Sequence, residues 1–364
     1  MTVHATAGLR PWVVISNFPA WPSPYFAELE RYAPPVLRLE FAADLDALAS
    51  RPGPVGVVNL HRLKRLYQEP GGRRTRRAAE ATLQRLQTLR TAGWKIVWTV
   101  HNLLPIDGQP VRAADRYTAD GVLTLADAVV THTHADAEYL RTLTCTPVTV
   151  AGWAAPTPVP GPVPAPVDAL ARLMAAVPFA VLVLGNVTAY KNLPATVDTF
   201  TRATRRAHLF LAGPSRDPDL TDVLTRRAAA SAGRVHLYPQ RVPPGHAHVL
   251  YQAADTALCP YRVDGPWDFF TRMIHPSSVG TALASGTPVI APDLPAIREM
   301  TAGWPARLYA PDAGPGPALV GAEHTPTAPE TCSALDPATR WRAIGAAYVR
   351  LAQVLHNAAT PPRP

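Results

Sequence analysis

Short apolar runs alternate with amphipathic stretches along almost the whole chain, and this alternation limits the possible folds more than any other feature. The short runs are typical of buried strands, whereas the stretches between them repeat apolar residues at helical spacing. Strands separated by helices form βαβ units, in which neighbouring strands run parallel. We therefore predict an α/β fold with doubly wound, Rossmann-like parallel sheets. The predicted strands are 12–16, 36–41, 56–60, 95–100, 128–132, 148–152, 179–185, 207–213, 234–238, 255–261 and 287–292. The predicted helices are 24–33, 76–93, 193–205, 218–231, 244–253, 280–285 and 337–357.

Two domains are expected, because 364 residues exceed the roughly 250–300 residues at which a single core stops growing. Segment 154–169 contains six Pro and one Gly and interrupts the alternation. Proline lacks the backbone N–H that helices and sheets need, so we expect a stiff extended linker here and no helix. The predicted domains are 1–153, the linker 154–169, 170–336, and a C-terminal helix and tail at 337–364, whose return to the first domain is left open. We expect the two sheets to face each other across a cleft, with ligands at the carboxyl ends of the strands.

Cysteine usage and hydropathy indicate a cytoplasmic protein. Cys145, Cys259 and Cys332 are scattered, without the spacing of a metal site or a disulfide framework, which suits a reducing compartment. The N-terminal residues lack the pattern of a signal peptide. No apolar run reaches the roughly 18 residues that a membrane-spanning helix needs.

The net charge of +8 is concentrated in segment 62–77. Glu69 is the single acidic residue there, and seven residues are basic: Arg62, Lys64, Arg65, Arg73, Arg74, Arg76 and Arg77. Such a segment suits an anionic membrane surface or a phosphorylated substrate, and the alternative is a solvated loop and helix start. Nucleic acid is not expected as a partner, because no zinc finger and no RNA-recognition signature accompanies the basic residues.

The segment "LGNVTAYKN" follows the first predicted strand of the second domain. Gly185 permits a tight exit from that strand, and Lys191 lies just before the next helix, where its ammonium can neutralise a phosphate. The alternative is an ordinary surface lysine at a helix start, where the helix dipole disfavours a cation. Neither the P-loop pattern nor the G-x-G-x-x-G pattern occurs in the chain, which argues against a P-loop NTPase and an ordinary NAD enzyme.

The segment "SSVGTALASG" concentrates small residues before another predicted strand. We expect residues 275–280 to form a loop that leads into a helix beginning at Thr281. Exposed N–H groups at that helix start, with the hydroxyls of Ser277, Ser278 and Thr281, would form an anion site, and Lys191 would bind the same diphosphate. The alternative is tight packing of a helix on a sheet, which also favours Ala and Gly.

These segments and two others resemble a known family. "LGNVTAYKN", "PQRVPPGHAHVLYQAADTALCPYR" and "SSVGTALASGTPVIAPDLPAIRE" resemble the donor-binding half of GT-B nucleotide-sugar glycosyltransferases. The likeness is greatest to bacterial family 4-like enzymes of exopolysaccharide and glycolipid biosynthesis. "KIVWTVHNLLP" resembles a stretch of their acceptor-binding domain.

The resemblance implies a GT-B glycosyltransferase that transfers a sugar from a nucleotide-sugar donor to a hydroxyl of a sugar, lipid-linked or natural-product acceptor. The nucleotide sugar would be a co-substrate, and neither a cofactor nor a metal would be needed. Relatives that act on lipid-linked acceptors, together with the seven basic residues of segment 62–77, favour a cytoplasmic protein that contacts the inner face of the membrane. By resemblance, Lys191 and residues 278–281 hold the donor diphosphate, and Glu299 lies near the ribose or the sugar. The donor-binding residues predicted in this way are Gly185, Asn186, Tyr190, Lys191, Arg262, Ser277, Ser278, Gly280, Thr281 and Glu299.

The first domain offers His101, Asn102, Asp107 and His132 as candidate catalytic residues. His101 and His132 both fall at carboxyl ends of predicted strands, where a group facing the cleft would lie. An acceptor hydroxyl needs a positioned base or hydrogen-bond acceptor, unless the departing phosphate takes the proton itself. The alternative for each histidine is a structural role, and His61 is assigned no role.

The chain departs from the family pattern at several positions. Retaining members carry two Glu separated by seven residues, and Met273 and Thr281 stand at those positions. Asn186 stands where Arg or Lys is common, and 106–107 is Ile-Asp where His-Glu is common. Two other hypotheses therefore remain beside the glycosyltransferase: a catalytically weak relative that binds a nucleotide sugar or a partner, and a sugar-nucleotide epimerase of the same fold.

Overall fold

The computed structural model describes residues 11–15, 24–50, 55–107, 109–325 and 336–357. The chain divides into two compact units. The first unit contains Met1–Pro105, Pro110–Trp153 and Ala338–Pro364, and the second contains Ile106–Gln109 and Ala154–Pro337. Among the described residues, no helix is both long and apolar enough to cross a membrane.

The first unit is built on a six-stranded sheet in which all neighbouring strands are parallel. Its strands are β1 (Trp12–Ile15), β2 (Leu39–Ala42), β3 (Val57–Leu60), β4 (Lys95–Thr99), β5 (Ala128–Thr131) and β6 (Val148–Val150). Its helices are α1 (Pro24–Tyr32), α2 (Leu45–Ala49), α3 (Lys64–Tyr67), α4 (Arg76–Thr91), α5 (Ala113–Leu125) and α6 (His134–Leu143), together with the C-terminal helix α14 (Pro337–Asn357). The strand order is β2-β1-β3-β4-β5-β6, so that the chain reverses its winding direction between β1 and β3.

The second unit contains another six-stranded parallel sheet. Its strands are β7 (Ala180–Leu184), β8 (His208–Ala212), β9 (Val235–Tyr238), β10 (Thr256–Leu258), β11 (Val289–Pro292) and β12 (Ala306–Tyr309). Its helices are α7 (Ala165–Ala175), α8 (Leu193–Ala203), α9 (Pro218–Ala229), α10 (Ala247–Gln252), α11 (Ser277–Ala284), α12 (Pro295–Thr301) and α13 (Gly316–His324). Short 3-10 helices span Ala189–Lys191, Pro244–His246 and Gly265–Thr271.

The order β12-β11-β10-β7-β8-β9 is the strand order of a Rossmann fold, with the reversal of winding between β7 and β10. The apolar core on one face of this sheet includes Val181, Phe200 and Leu209, all fully buried. Ligands of such sheets bind at the carboxyl ends of the strands where the winding reverses. A ligand site is therefore expected beside the residues that follow β7 and β10.

The prediction of two doubly wound parallel sheets is confirmed, and each predicted strand overlaps a strand of the structure. Residue 16, at the end of the first predicted strand, lies outside the described residues. Strand β12 was not predicted, because Arg307 breaks the apolar run of this strand. The structure shows that Ala306–Leu308 are only partly buried. Several helices, including α5, α6 and α13, were not predicted either.

The expectation that segment 154–169 contains no helix is wrong for its last residues, because α7 begins at Ala165. Proline is tolerated in the first turn of a helix, where its missing N–H would have no helical partner. Pro164 precedes this helix and Pro166 lies in its first turn. Residues 154–164 contain no helix and no strand, and Val159 N donates a hydrogen bond to Gly245 O within the second unit at 3.1 Å.

The basic segment 62–77 exposes fewer charges than its sequence suggests. Arg74 is buried, and its Nη1 lies 2.8 Å from Oδ2 of Asp115, a carboxylate that is also buried. Asp115 further accepts hydrogen bonds from the Tyr67 hydroxyl at 2.7 Å and from the Arg112 backbone N–H at 2.7 Å. Arg74 therefore anchors this segment to α5, and the exposed charge comes from its neighbours, such as Arg73 and Arg77.

The C-terminal helix α14 packs within the first unit. The Tyr348 hydroxyl lies 2.7 Å from Oγ1 of Thr99, at the end of β4, and the ring contacts Trp12 edge-on at a centroid distance of 5.4 Å. Trp341, in the first turns of α14, lies 5.1 Å from the ring of Tyr25 on α1. The end of the chain thus completes the core of the unit in which the chain begins.

Candidate functional site

Lys191 is a buried cation beside the carboxyl end of β7. Lys191 is the last residue of the short 3-10 helix Ala189–Lys191, and it is only 5% exposed. The ammonium Nζ donates a hydrogen bond to Leu184 O at 3.1 Å. Gly185 has a backbone φ of +106°, and a Cβ at this position would lie 3.2 Å from Nζ. The positive φ favours glycine at the strand exit, and a Cβ there would also crowd the ammonium.

Burial lowers the pKa of Lys191 from 10.5 to about 8. The nearby thiol of Cys259, which follows β10, does not offset this, because burial raises the pKa of Cys259 to about 11 and keeps the thiol neutral near pH 7. A buried ammonium without an anionic neighbour is unfavourable, and an anion bound beside it would relieve that cost. The turn after β7 is thus suited to binding an anion.

The affinity of this turn for an anion such as a diphosphate is expected to depend on pH because of this lysine. Below about pH 8 the ammonium is charged in the free protein, whereas above that pH binding must first take up a proton. The dissociation constant should be constant below pH 8 and rise up to about tenfold per pH unit above it. Calorimetry in buffers of different ionisation enthalpy measures the proton uptake directly, and an affinity that does not change across pH 8 would contradict the expectation.

The small-residue segment forms a longer helix than predicted, because α11 begins at Ser277 and not at Thr281. No side chain caps this start, so the sequence carried no signal for it. The N–H groups of Ser277 and Val279 donate to His275 O and Pro276 O, and Gly280 N also donates to Pro276 O. Three of the backbone donors proposed for an anion are therefore bonded within the turn.

The side chains of α11 divide into two groups. Ser277 is exposed and Ser278 half-buried, whereas Gly280 and Thr281 are buried in the unit. Ser278 Oγ lies 2.5 Å from the Tyr261 hydroxyl, and Thr281 Oγ1 donates to Ser277 O at 2.8 Å. The burial of Gly280 and Thr281 agrees with the alternative of tight packing, and of the four predicted residues on this helix only Ser277 and Ser278 have appreciable exposed surface.

The loops after β7 and β10 are joined directly. Arg262 N donates to Tyr190 O at 2.8 Å, and the rings of Tyr190 and Tyr261 stack at a centroid distance of 6.2 Å. The Arg262 guanidinium is paired with Asp264, with Nε 2.9 Å from Oδ1, and lies 4.8 Å from the ring of Trp267. This pairing raises the pKa of Arg262, and Asp264 largely neutralises the charge of the guanidinium.

The remaining predicted donor residues lie close to these loops in sequence. Asn186 follows Gly185 and is exposed, and Glu299 is a half-buried residue of α12, the helix after β11. Sequence reasoning missed Gly213, at the carboxyl end of β8. Its φ is +143°, and a Cβ there would lie 2.3 Å from Gly185 O, so Gly213 lets the backbone of Gly185 take its position. The signal was available, since "LAG" ends β8 as "LG" ends β7.

In the first unit, three histidines form a hydrogen-bonded chain across neighbouring strands. His61 follows β3, His101 follows β4 and His132 follows β5. Nδ1 of His61 lies 2.7 Å from Nε2 of His101, and Nδ1 of His101 lies 3.0 Å from Nε2 of His132. Nδ1 of His132 lies 3.1 Å from Gly152 O, after β6. The structure thus brings together two predicted residues and His61, to which the sequence analysis assigned no role.

Two of these rings are held neutral by burial. His61 is 9% and His132 is 1% exposed, whereas His101 is half-buried. Burial lowers the pKa of His132 to about 4 and lowers that of His61 well below its usual value, with Arg62 adding to the effect on His61. Tyr25 of α1 packs edge-on against His101 and His132, at centroid distances of 5.0 and 5.4 Å. His61 shows the same strand-ending position as the other two and could have been included on that signal.

The other two catalytic candidates are not part of this chain of histidines. Asn102 is half-buried beside His101 in the sequence. Asp107, which was predicted to belong to the first domain, lies in the short segment Ile106–Gln109 that groups with the second unit. It is exposed, and its Oδ1 accepts a hydrogen bond from Gln109 N at 3.2 Å.

Two Rossmann-like parallel sheets place this protein in the α/β class, and comparisons with known proteins add to this description. Residues 178–316 match the family described as "Glycosyl transferases group 1". The resemblance predicted from the motifs of the second unit is therefore confirmed for this segment. A search of curated proteins gives no significant match.

Several solved structures share the fold of nearly the whole chain. AviGT4, described as a glycosyltransferase involved in avilamycin A biosynthesis, is 17% identical, with 96% of this chain and 98% of that chain covered and a TM-score of 0.55. HepE from Anabaena, in complex with UDP-glucose, is 14% identical over 96% and 98% of the chains, with a TM-score of 0.58. Sucrose-phosphate synthase from Thermosynechococcus elongatus is 18% identical over 96% of each chain, with a TM-score of 0.54. At these identities the similarity concerns the fold, and the predicted GT-B fold is confirmed.

Proposed function

We propose that this protein transfers a glycosyl group from a nucleotide sugar to a hydroxyl group of an acceptor. The observation that carries the proposal is Lys191, a buried ammonium beside Gly185 where the winding of the second sheet reverses. Such a cation stabilises a bound diphosphate. The match of residues 178–316 to group 1 glycosyltransferases supports a nucleotide sugar as the source of that diphosphate. The nucleotide sugar bound by HepE, UDP-glucose, is the first donor to test.

Each unit contributes a part of the proposed reaction. In the second unit, Lys191 stabilises the negative charge that develops on the diphosphate as the bond between the sugar and the phosphate oxygen breaks. Ser277, Ser278 and Glu299 are proposed as further contacts of the donor. In the first unit, His101 binds the acceptor hydroxyl, whose oxygen forms the new bond to the sugar. The hydroxyl proton passes either to His101 or to the departing phosphate.

The proposal includes no metal and no cofactor, as the family resemblance implies. Lys191 supplies positive charge where a divalent cation would otherwise neutralise the diphosphate. Transfer should therefore continue after treatment with a chelator and should not be increased by added Mg²⁺ or Mn²⁺. Loss of transfer on chelation, with recovery on addition of metal, would contradict this part of the proposal.

A donor panel tests the proposed function. UDP-, GDP- and dTDP-sugars are compared by thermal shift, because a ligand at about 100 times its dissociation constant stabilises the folded protein by about 2.7 kcal/mol. The best donor is then incubated with sugar, lipid-linked and natural-product acceptors, and products are identified by mass spectrometry. Stabilisation by one nucleotide class together with a glycosylated product supports the proposal, and a donor altered without any acceptor would favour an epimerase.

A catalytically weak, nucleotide-sugar-binding protein is the second candidate, and two residues favour it. Met273 and Thr281 stand where retaining relatives carry Glu, and both are buried. The Thr281 hydroxyl is bonded to Ser277 O, so neither side chain replaces a carboxylate. Donor binding without transfer to any acceptor would support this candidate.

We further propose that the exposed part of segment 62–77 contacts anionic membranes. Arg73 and Arg77 are exposed, and replacing both with Glu should strongly weaken binding to anionic vesicles. Because the attraction is electrostatic, raised salt should release the wild-type protein. Arg202→Glu, an exposed charge reversal in the second unit, is the matched control and should bind nearly as the wild type does. Equal binding to neutral and anionic vesicles would contradict the proposal.

A further inference from the structure

The direction of the hydrogen bonds in the histidine chain is fixed at one end. Gly152 O can only accept a hydrogen bond, so Nδ1 of His132 carries the proton between them. Because a neutral imidazole has one N–H, Nε2 of His132 is an acceptor, and the hydrogen between the two rings belongs to Nδ1 of His101. Nε2 of His101 is then the acceptor for Nδ1–H of His61.

The surroundings of His61, at the other end of the histidine chain, agree with this direction. Nε2 of His61 is buried and has no hydrogen-bond partner among the described residues. In the derived arrangement this nitrogen carries only a lone pair, whereas the reverse arrangement would bury an N–H group without an acceptor. The reverse arrangement would also leave no hydrogen between Nδ1 of His132 and Gly152 O.

We propose that His132 is a positioning residue that holds His101 in the tautomer protonated at Nδ1, so that Nε2 of His101 remains the acceptor for a substrate hydroxyl. His61 donates to this nitrogen in the protein without substrate, and the hydroxyl takes its place when substrate binds. The identification of the hydroxyl as a substrate group rests on the proposed glycosyltransferase function, whereas the tautomer of His101 does not.

Exposure decides which of the three rings meets the substrate. His61 and His132 are 9% and 1% exposed, and only His101 of the three is half-buried. The carbonyl of Gly152 has the role of an orienting group, since it sets the tautomer of His132, which in turn sets that of His101. In other histidine sites the second ring nitrogen is likewise held by a hydrogen bond that selects the tautomer of the working nitrogen. Tyr25, packed against both His101 and His132, restricts the rotation of these rings.

Nitrogen NMR of the full chain without substrate tests the tautomer directly. Ring ¹⁵N shifts and long-range ¹H–¹⁵N correlations of His101 should show Nδ1 protonated in the wild type. His132→Gln should preserve this pattern, because the amide oxygen can accept from His101 while the amide NH₂ donates to Gly152 O. His132→Leu removes the acceptor and should shift His101 towards protonation at Nε2. His61→Phe, the matched control on the other side, should leave Nδ1 protonated.

Kinetics separate the positioning role from the proposed function. With an active donor and acceptor, kcat of His132→Leu should fall about tenfold or more, and His132→Gln should restore the larger part of it. Protonation of His101 at Nε2 in the wild type, or an unchanged pattern in a folded His132→Leu variant, would overturn the positioning proposal even if transfer is observed. If the wild type transfers no sugar to any acceptor, the proposed function fails, while the spectra still decide the role of His132. If His132→Leu does not fold, the spectra of the wild type and of His132→Gln are sufficient to overturn the positioning proposal.

Discussion

Replacing Lys191 with Ala is expected to weaken nucleotide-sugar binding by about 100-fold or more, since removal of one partner of a buried charge pair costs about 2–5 kcal/mol. The substitution should weaken ligand binding without lowering the stability of the fold. Lys191 belongs to a short 3-10 turn, and its ammonium is disfavoured by burial in the free protein, so its removal should not unfold the second unit. Isothermal titration calorimetry with the best donor of the panel measures the effect.

The methionine variant separates charge from packing. Lys191→Met keeps most of the buried stem but lacks the ammonium, and it should lose as much affinity as Lys191→Ala. The thermal melting curves of both variants should resemble that of the wild type. Wild-type affinity in a folded Lys191→Met protein would remove the ammonium from the donor site.

Replacing Arg74 with Met is expected to lower the free energy of unfolding by about 3–5 kcal/mol, because Asp115 would remain buried without its cation. The two side chains are 2% and 0% exposed, so solvent cannot compensate for the missing partner. Chemical denaturation followed by tryptophan fluorescence measures the loss. This signal reports mainly on the first unit, which contains six of the eight tryptophans.

A neighbouring arginine provides the matched control. The side chain of Arg73 is 77% exposed, and its Nε lies 3.5 Å from Oε2 of Glu69, so Arg73→Met should change stability by no more than about 0.5 kcal/mol. Adding Asp115→Asn to Arg74→Met should recover much of the loss, because the buried charge is then removed as well. Equal effects of Arg74→Met and Arg73→Met would contradict the structural role of the buried pair.

Local sequence patterns were sufficient to locate the turn after β7. Gly185 and Lys191 lie in one strand-exit segment, so a short pattern contains both the backbone requirement and the charge. The start of α11 was misplaced because no side chain caps it. Gly213 was missed although "LAG" ends β8 as "LG" ends β7, and the structure adds the reason for a glycine there, the Gly185 carbonyl just after the neighbouring strand β7.

In the first unit, strand ends predicted which histidines lie at one edge of the sheet but not how they are bonded. His101 and His132 were selected on this basis, and His61 satisfies the same criterion. The sequence could not show that both nitrogens of His101 are hydrogen-bonded to these two rings. That arrangement changes His101 from an isolated candidate base into the middle member of a chain whose direction Gly152 sets.

The sequence by itself determined the parallel α/β class, the extent of most strands and the loop that contains Gly185 and Lys191, because these depend on periodicity and on backbone geometry within a few residues. Only the tertiary structure decided which charges are exposed and which ring nitrogens carry protons. Arg74 finds its carboxylate 41 residues away, and His101 finds its partners 40 and 31 residues away. Charge and protonation are set by such distant neighbours, since burial removes the water that would otherwise solvate each group alone.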